Sequence, residues 1–330
     1  MASDRVGAVV IGRNEGARLL ACLSSLAPQV RTMIYVDSGS SDGSVKAAEA
    51  AGALVVNLDL SKPFTAARAR NAGLARLLQD SAPDYVQFVD GDCEVRPDWI
   101  AQAAAFLDSH ADVAVVHGRR RERFPDATPY NRMCDWEWDR PIGEARACGG
   151  DALMRVSALQ EMGGYNPALI AGEEPELCVR LRQAGWRIWN TGAEMTLHDA
   201  AITRFGQFWK RSERAGHAYA EGAALHGAPP ERHGVEGRNR ALLWGAALPL
   251  SLLVAAVAIH PAALLAGAIY PAQILRVALR EQRASQAVGM GVAWQRALFL
   301  TISKFAQAKG VLGYYLNRLR GRRSALIEYK

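Results

Sequence analysis

The chain has 330 residues, 50% of them hydrophobic and 22% charged, which excludes wholesale disorder and fibrous repeats and leaves room for a substantial core. The net charge of +6 hides an asymmetry: residues 271–330 hold eleven Lys or Arg against two Glu, leaving −3 for the first 270. Cys22, Cys93, Cys134, Cys148 and Cys178 are scattered and include no C-x-x-C pair, which argues against a disulfide framework or a zinc site and suits a reducing compartment.

The N-terminal MASDRVGAVVIG carries an acidic residue where a signal peptide would be basic, and it reads as the first strand of a cytoplasmic domain. Apolar runs at 6–11, 32–36, 54–56, 85–89 and 111–116 predict strands, separated by helical patterns at 15–26, 43–51, 65–78 and from Pro97. This alternation predicts βαβ units in an α/β domain with a Rossmann-like, mostly parallel sheet, which binds ligands at the carboxyl ends of its strands. Polar motifs follow those ends: GRNE after strand one, DSGSSD after strand two and DGD after strand four. The pattern then loosens through RRRERFP, CDWEWD and CGGDALMR before two further helices, one opening at GEEPELC and one over 204–226.

Residues 241–275 contain no Asp, Glu, Lys or Arg. As one helix they would reach ~50 Å, well past a hydrocarbon layer of ~30 Å. His260-Pro261 interrupts the run, and arginines flank it at 238 and 240 and at 276, 280 and 283. A hairpin turning at His260-Pro261 keeps both basic clusters in the cytoplasm, as the positive-inside tendency favours. The tail beyond it alternates basic residues with an apolar face of Trp294, Leu298, Phe299, Phe305 and Tyr314, and reads as amphipathic helix lying on anionic lipid. The expected division is a catalytic domain over 1–235, with a nucleotide half to 118 and an acceptor half from 119. A transmembrane or re-entrant hairpin over 236–283 and a basic interfacial tail over 284–330 follow.

Asp90-Gly91-Asp92 ends an apolar strand, and two carboxylates so placed can address a divalent cation and a diphosphate oxygen together, a task that suits Mg²⁺ or Mn²⁺. Asp37 opens a Ser/Gly loop containing Asp42, able to hold a base or ribose hydroxyl. Asp42 equally suits a turn or cap, and Arg70, beside Asn71 in a helix, equally suits a surface cation.

Taken together, VVIGRNEG at 9–16, YVDSGSSDGS at 35–44, ARNAG at 69–73, FVDGDCEVRPDWI at 88–100, CGGDALMR at 148–155, GGYNPAL at 163–169 and GEEPELCVRLRQAGWRI at 172–188 resemble family-2 glycosyltransferases, inverting enzymes of the GT-A nucleotide-diphospho-sugar transferase fold. The resemblance spans roughly residues 5–200. It implies a nucleotide-sugar donor, UDP- or GDP-linked, contacted by Arg13, Asn14, Glu15, Asp37, Asp42, Arg70, Asn71, Asp90 and Gly91. It implies Mg²⁺ or Mn²⁺ on Asp92, Asp90 and His198. Where the family has an E-D pair this chain has Glu173-Glu174, so by position the general base falls on Glu174, with Glu173 the alternative. Both sit near a helix start, where the dipole is expected to favour the ionised form. Gly149, Gly150 and Asp151, together with Lys210, Arg211 and Arg214, are candidates for acceptor or phosphate contacts, as are Arg119, Arg120 and Arg121.

The implied activity is transfer of a sugar to a lipid-linked or saccharide acceptor at the cytoplasmic face of an inner membrane, in envelope or exopolysaccharide assembly. No nucleic-acid partner is expected. The alternatives are a catalytically degenerate, glycosyltransferase-like membrane scaffold, left open by the Glu-Glu departure, and a nucleotidyltransferase. The latter would want an N-terminal phosphate loop with a Lys, which GRNEGAR lacks.

Overall fold

The protein is described by a computed structural model over residues 2–284, 289–322 and 324–328. It divides into two compact units, Met1–Ala201 and Ile202–Lys330.

The first unit is built on one sheet. Its strands are β1 (Val6–Gly12), β2 (Thr32–Asp37), β3 (Leu54–Asn57), β4 (Tyr85–Asp90), β5 (Cys93–Val95), β6 (Val113–Glu122), β7 (Gly143–Ala145), β8 (Ala152–Arg155) and β9 (Arg187–His198). Its helices are α1 (Ala17–Leu26), α2 (Ser44–Ala50), α3 (Ala66–Asp80), α4 (Trp99–Ser109), α5 (Pro129–Glu137), α6 (Val156–Met162) and α7 (Glu173–Gln183). The strand order is β3-β2-β1-β4-β8-β6-β9-β5, with β7 on β9. The nucleotide half, β3-β2-β1-β4, is parallel as expected. The acceptor half is mixed: β6 and β9 run parallel, while β8, β5 and β7 pair antiparallel with their neighbours.

Helices cover both faces of the sheet, so its central strands are apolar on both sides. Along β1, Ala8 and Val10 join a core with Leu19 and Leu23 of α1 and Trp99 and Ile100 of α4. The alternate residues Val9 and Ile11 join a second core with Leu74 and Leu77 of α3. Strands β1, β2 and β4 end in register, with Gly12 opposite Asp37 and Ile11 opposite Asp90. The three polar motifs therefore leave the sheet along one edge.

The second unit is helical: α8 (Phe205–His226), α9 (Val235–Leu242), α10 (Leu248–Ala258), α11 (Ile269–Ala284) and α12 (Met290–Leu319). A π-helical turn, Leu243–Ala247, makes α9 and α10 continuous, and a 3₁₀ segment, Pro261–Ala268, leads into α11. Two stretches, Val235–Ala258 and Pro261–Arg283, are long and apolar enough to cross a membrane. They turn back on each other at Ile259-His260, where the His260 ring accepts a hydrogen bond from the Ala262 N–H at 3.1 Å and caps the second arm. Near the other end the Tyr270 hydroxyl donates to the Trp244 carbonyl at 2.7 Å. Val257, Ile259 and Leu265 are 83, 82 and 78% exposed, so within this unit the charge-free run is no buried core helix.

Two features of this unit differ from the sequence reading. Helix 205–226, expected in the acceptor half, belongs here because it packs along α12: a Cβ on Gly216 would lie 2.0 Å from the Gln307 carbonyl, and one on Gly310 2.0 Å from that of Glu213. Each backbone can approach the other helix so closely only because the glycine it meets has no side chain. The expected interfacial face also splits. Trp294 and Leu298 are exposed, whereas Phe299 packs on Phe208 at 5.3 Å, Phe305 on Tyr270 at 5.7 Å and Tyr314 on Tyr315 at 5.3 Å. Helix α12 is the spine of the unit rather than a detached tail. Residues 285–288, 323, 329 and 330 of the expected tail lie outside the described residues.

Candidate active site

The loops at the strand ends are tied to one another before any ligand is considered. The Asn14 side-chain oxygen accepts from the Ser41 and Asp42 N–H groups at 2.8 and 3.3 Å, and its own N–H donates to the Ser40 hydroxyl at 2.9 Å. Its φ of 56° is one that Asn tolerates better than most residues. Asp37 is buried and accepts from the N–H groups of Gly39 and Ser40 at 2.8 and 2.9 Å and from the Tyr35 hydroxyl at 3.1 Å. Asp42 accepts from the Ser44 N–H at 2.9 Å at the start of α2; bonding to Ser44 holds its carboxyl below the usual range. Glu15 pairs with Arg18 at 2.7 Å, and Arg13 is exposed beside it.

Arg70 is the hub. It is 2% exposed, and its guanidinium meets Asp90 through Nη2 and both Glu173 and Glu174 through Nη1, each at 2.9 Å. One cation thus joins the DGD loop to the acidic start of α7, motifs about eighty residues apart in the chain. The surface-cation reading of Arg70 is excluded. Gly150 makes this possible: a Cβ there would lie 2.7 Å from Arg70 Nη2 and 2.8 Å from Asp90 Oδ2. Asn71 turns elsewhere, its amide bonding both the N–H and the carbonyl of Tyr165 at 2.9 and 2.8 Å. It pins α3 to the 163–166 loop and is a clamp rather than a donor contact.

The helix-dipole expectation for Glu174 is overturned. Burial first, and the charge of Glu173 second, push its carboxyl up to about 7 despite the helix start and Arg70. Desolvation of a carboxylate outweighs a terminal half-charge when water is withdrawn.

Asp92 and His198 face each other at 3.2 Å, Oδ1 to Nε2, with both side chains buried. Cys93 completes a group whose donor atoms all lie within 4.8 Å of one another. Burial, with Asp151 next, raises the Cys93 thiol well above its usual range, so sulfur is protonated there and the oxygen–nitrogen set dominates. That set fits a hard divalent ion such as Mn²⁺ or Mg²⁺ better than Zn²⁺. Gly91 leaves space between the aspartates and donates its N–H to the Ile11 carbonyl at 2.8 Å.

The triple arginine is divided by strand geometry. Arg119 pairs with Asp135 at 3.0 Å and Arg121 with Glu194 at 2.7 Å, away from the DGD loop. Arg120 alone turns to the site, 2.8 Å from Asp151 and 3.8 Å from Asp90, with its guanidinium 5.3 Å from the Trp138 ring. Asp151 is 1% exposed and also accepts from the Thr196 hydroxyl at 2.8 Å and the Asp90 N–H at 3.3 Å, so its carboxylate acts as a support for Arg120 and the DGD loop. Gly149 lies exposed at the loop surface, whereas Lys210, Arg211 and Arg214 lie on α8 of the second unit.

Residues 8–162 match the family model described as glycosyl transferase family 2. Over those residues, just under half of its length, this chain is similar to family-2 glycosyl transferases. The chain is 24% identical over 213 residues to the succinoglycan biosynthesis protein ExoA of Rhizobium meliloti, covering 60% of this chain and 64% of that one. It is 28% identical over 145 residues to the pre-mycofactocin glycosyltransferase of Mycobacterium tuberculosis, covering 40% of this chain and 30% of that one. The chain thus spans less than two thirds of the length of either relative. Among solved structures, the mannosyltransferase PcManGT from Pyrobaculum calidifontis, determined with GDP-mannose and Mn²⁺, superposes with a TM-score of 0.60 at 19% identity over 93% of this chain and 87% of that one. The likeness identifies the fold as GT-A.

The sequence reading did not single out His117 or Trp138, which flank Arg120 in the structure. The available sign for His117 was a histidine ending the apolar run VAVV, where a further apolar residue would be ordinary.

Proposed function

We propose that the protein is an inverting, metal-dependent glycosyltransferase that moves a sugar from a UDP- or GDP-linked donor to a lipid-linked or saccharide acceptor. It works on the cytoplasmic face of an inner membrane, anchored by its C-terminal hairpin, in envelope or exopolysaccharide assembly. The observation that carries this reading is the Arg70 hub, which joins the DGD carboxylates and the Glu173-Glu174 pair in one site. A degenerate scaffold has no need of three carboxylates on one buried cation, and a nucleotidyltransferase no need of the acidic helix start.

In this reading Asp37, Asp42 and the loop around Asn14 receive the nucleoside, with Arg13 and Glu15 at its edge. Asp92 and His198 hold the divalent cation, with Asp90 beside them. When bound, that ion supplies positive charge against the departing diphosphate. Glu174 accepts the proton of the acceptor hydroxyl as the oxygen attacks the anomeric carbon, the C–O bond to the diphosphate breaks in line, and the configuration inverts. Arg70 holds Glu174 near the reacting carbon and partly offsets its desolvation. In ExoA-like assembly the hairpin would keep this site close to a lipid-borne acceptor, with His260-Pro261 toward the far side of the bilayer.

Purified full-length protein should consume UDP- or GDP-sugars with Mn²⁺ or Mg²⁺ and not in excess EDTA. Asp92→Asn should lower turnover by about 10² or more. Full activity in EDTA would refute the metal requirement, and no turnover with any nucleotide sugar would favour the scaffold.

A further inference from the structure

All five cysteines are buried, but they meet different partners. The Cys22 thiol donates to the Asp90 carbonyl at 3.8 Å and the Cys93 thiol to the Asp92 carboxylate at 3.7 Å. Cys148 and Cys178, thirty residues apart in the chain, meet each other, with their sulfurs 3.7 Å apart. Cys148 opens the Cys148-Gly149-Gly150-Asp151 run that leads into β8. Cys178 stands in α7 four residues after Glu174, one helical turn along the same face. The transfer reaction proposed above uses neither thiol.

A disulfide holds its sulfurs at about 2.05 Å, so this pair must close by roughly 1.7 Å. Helix α7 is the rigid side, since Leu177, Val179 and Leu181 around Cys178 are fully buried. The loop is the side that can give: Gly149 is exposed, and a Cβ built on it would meet nothing within 4 Å. Gly150 must follow Cys148, and it is the residue wedged against Arg70 Nη2 and Asp90 Oδ2. Closing the bond therefore disturbs the Arg70 hub from the loop side.

The pair is also set up to react. The hydrogen bond from Cys148 lowers the Cys178 thiol below its usual value against the effect of burial, and the same bond leads in raising Cys148 well above its own. The first proton lost thus comes from Cys178, and the remaining one lies on Cys148 in the bond between the sulfurs. Cys148 is 8% exposed and lines a cavity of about 440 Å³ together with Gly149 and Pro175, room enough for a small peroxide.

We propose that Cys148 and Cys178 form a thiol modification site that a hydroperoxide closes to a disulfide, and that closure turns sugar transfer down by drawing the 148–151 loop off the Arg70 hub. From the singly deprotonated pair, the Cys148 sulfur attacks a peroxide oxygen while Cys178 takes up its proton. The O–O bond breaks, and hydroxide leaves to become water with a proton from solvent. The Cys178 sulfur then attacks the Cys148 sulfenic acid, whose hydroxide departs as water with the Cys178 proton. Two thiols are oxidised, one hydrogen peroxide is reduced to two waters, and a thiol reductant restores the pair. What the bond controls rests on the glycosyltransferase reading.

The test treats full-length protein in detergent with stoichiometric hydrogen peroxide, alkylates the remaining thiols and maps the peptides by mass spectrometry. A linked Cys148–Cys178 peptide should accumulate, and turnover of UDP-glucose or GDP-mannose with Mn²⁺ should fall about tenfold or more in step with it, as small misplacements at a reacting centre do. Dithiothreitol should reverse both changes, whereas methionine sulfoxide needs its own reductases. Cys148→Ser should turn over as the reduced wild type does and keep that turnover under peroxide. Cys178→Ala is the second variant should the first not fold. If no linked peptide forms in protein that turns over a nucleotide sugar, or if it forms with turnover unchanged, the inference is overturned and the glycosyltransferase reading stands. Equal loss in wild type and Cys148→Ser would overturn it too, since another side chain would then be the target. If reduced wild-type protein turns over no nucleotide sugar, that reading falls and takes the switch with it.

Discussion

The two units of this chain treat apolar and charged side chains in opposite ways. The first buries charge: Arg70, Asp92, Glu173 and Asp151 lie inside at 1–6% exposure, each matched to a partner. The second exposes apolar surface: Val257, Ile259 and Leu265 stand outward around a hairpin. Burying ions in a water-soluble domain is unfavourable unless they do chemistry or fix a geometry. Exposing leucine and isoleucine is unfavourable unless the solvent is lipid. On the proposed membrane-anchored reading the chain is built for two solvents, and each half can be perturbed without the other.

The largest effect should come from the buried carboxylates. Glu174→Gln keeps shape and hydrogen bonding but removes the proton acceptor, so sugar transfer should fall by about 10²–10⁴ while donor affinity survives. Glu173→Gln should cost less, since Glu173 is the more enclosed of the two, at 5% side-chain exposure against 14%. If steady-state kinetics give the reverse order, the base is Glu173.

Next in size is the hub itself. Arg70→Met leaves Asp90, Glu173 and Glu174 without their shared cation, and losing one partner of a buried pair costs about 3–5 kcal/mol. Glu174, whose carboxyl burial already pushes up to about 7, can escape part of that cost by protonating. Chemical denaturation should therefore show a larger loss at pH 8 than at pH 6, and an equal loss at both would mean that Glu174 does not titrate with the fold.

The helical unit should break differently. Leu248→Arg places a charge near the middle of the first arm, Val235–Ala258, where insertion costs about 2.5–3.5 kcal/mol. Membrane fractionation should show the protein released or degraded, while any correctly folded fraction keeps its nucleotide-sugar turnover. A single cysteine at Ser324 should resist impermeant thiol reagents in intact cells. Labelling from outside would replace the hairpin with a single span.

The smallest effect is a pH profile that sharpens the contrast. Glu174 has its folded-state carboxyl raised from the ordinary 4.5 to about 7. A raised acid stabilises the fold below its unfolded pKa, and that contribution is lost as pH climbs through the folded value. Activity needs the ionised base, so kcat/KM should rise about tenfold per pH unit up to about 7 and then level, over the same window in which this contribution to stability fades. A flat profile between pH 5.5 and 7 would remove Glu174 from the base role.

Much of this molecule was legible in its residues. The strands of the nucleotide half lie within a residue or two of the predicted runs, because strands covered on both faces must be apolar at every position. The DGD and DSGSSD motifs followed from strand ends, and the hairpin from thirty-five residues without charge. Family resemblance, rather than spacing, placed Glu174 and His198.

Contacts between distant segments had to wait for the tertiary structure. That Arg70 faces inward to three carboxylates, while Asn71 beside it clamps the Tyr165 backbone, depends on how α3 packs over the sheet, and helical periodicity cannot tell one buried partner from another. The same holds for Arg119, Arg120 and Arg121, three identical side chains whose fates diverge because bulges between β6 and β9 re-aim them. Helix α12 carries aromatic side chains that suit lipid and protein equally, and only the close approach of Gly216 to the Gln307 backbone and of Gly310 to the Glu213 backbone made α8 its partner. A sequence records which side chains want to leave water; what they meet when they do is set by contacts a hundred residues away, and those form only in the folded chain.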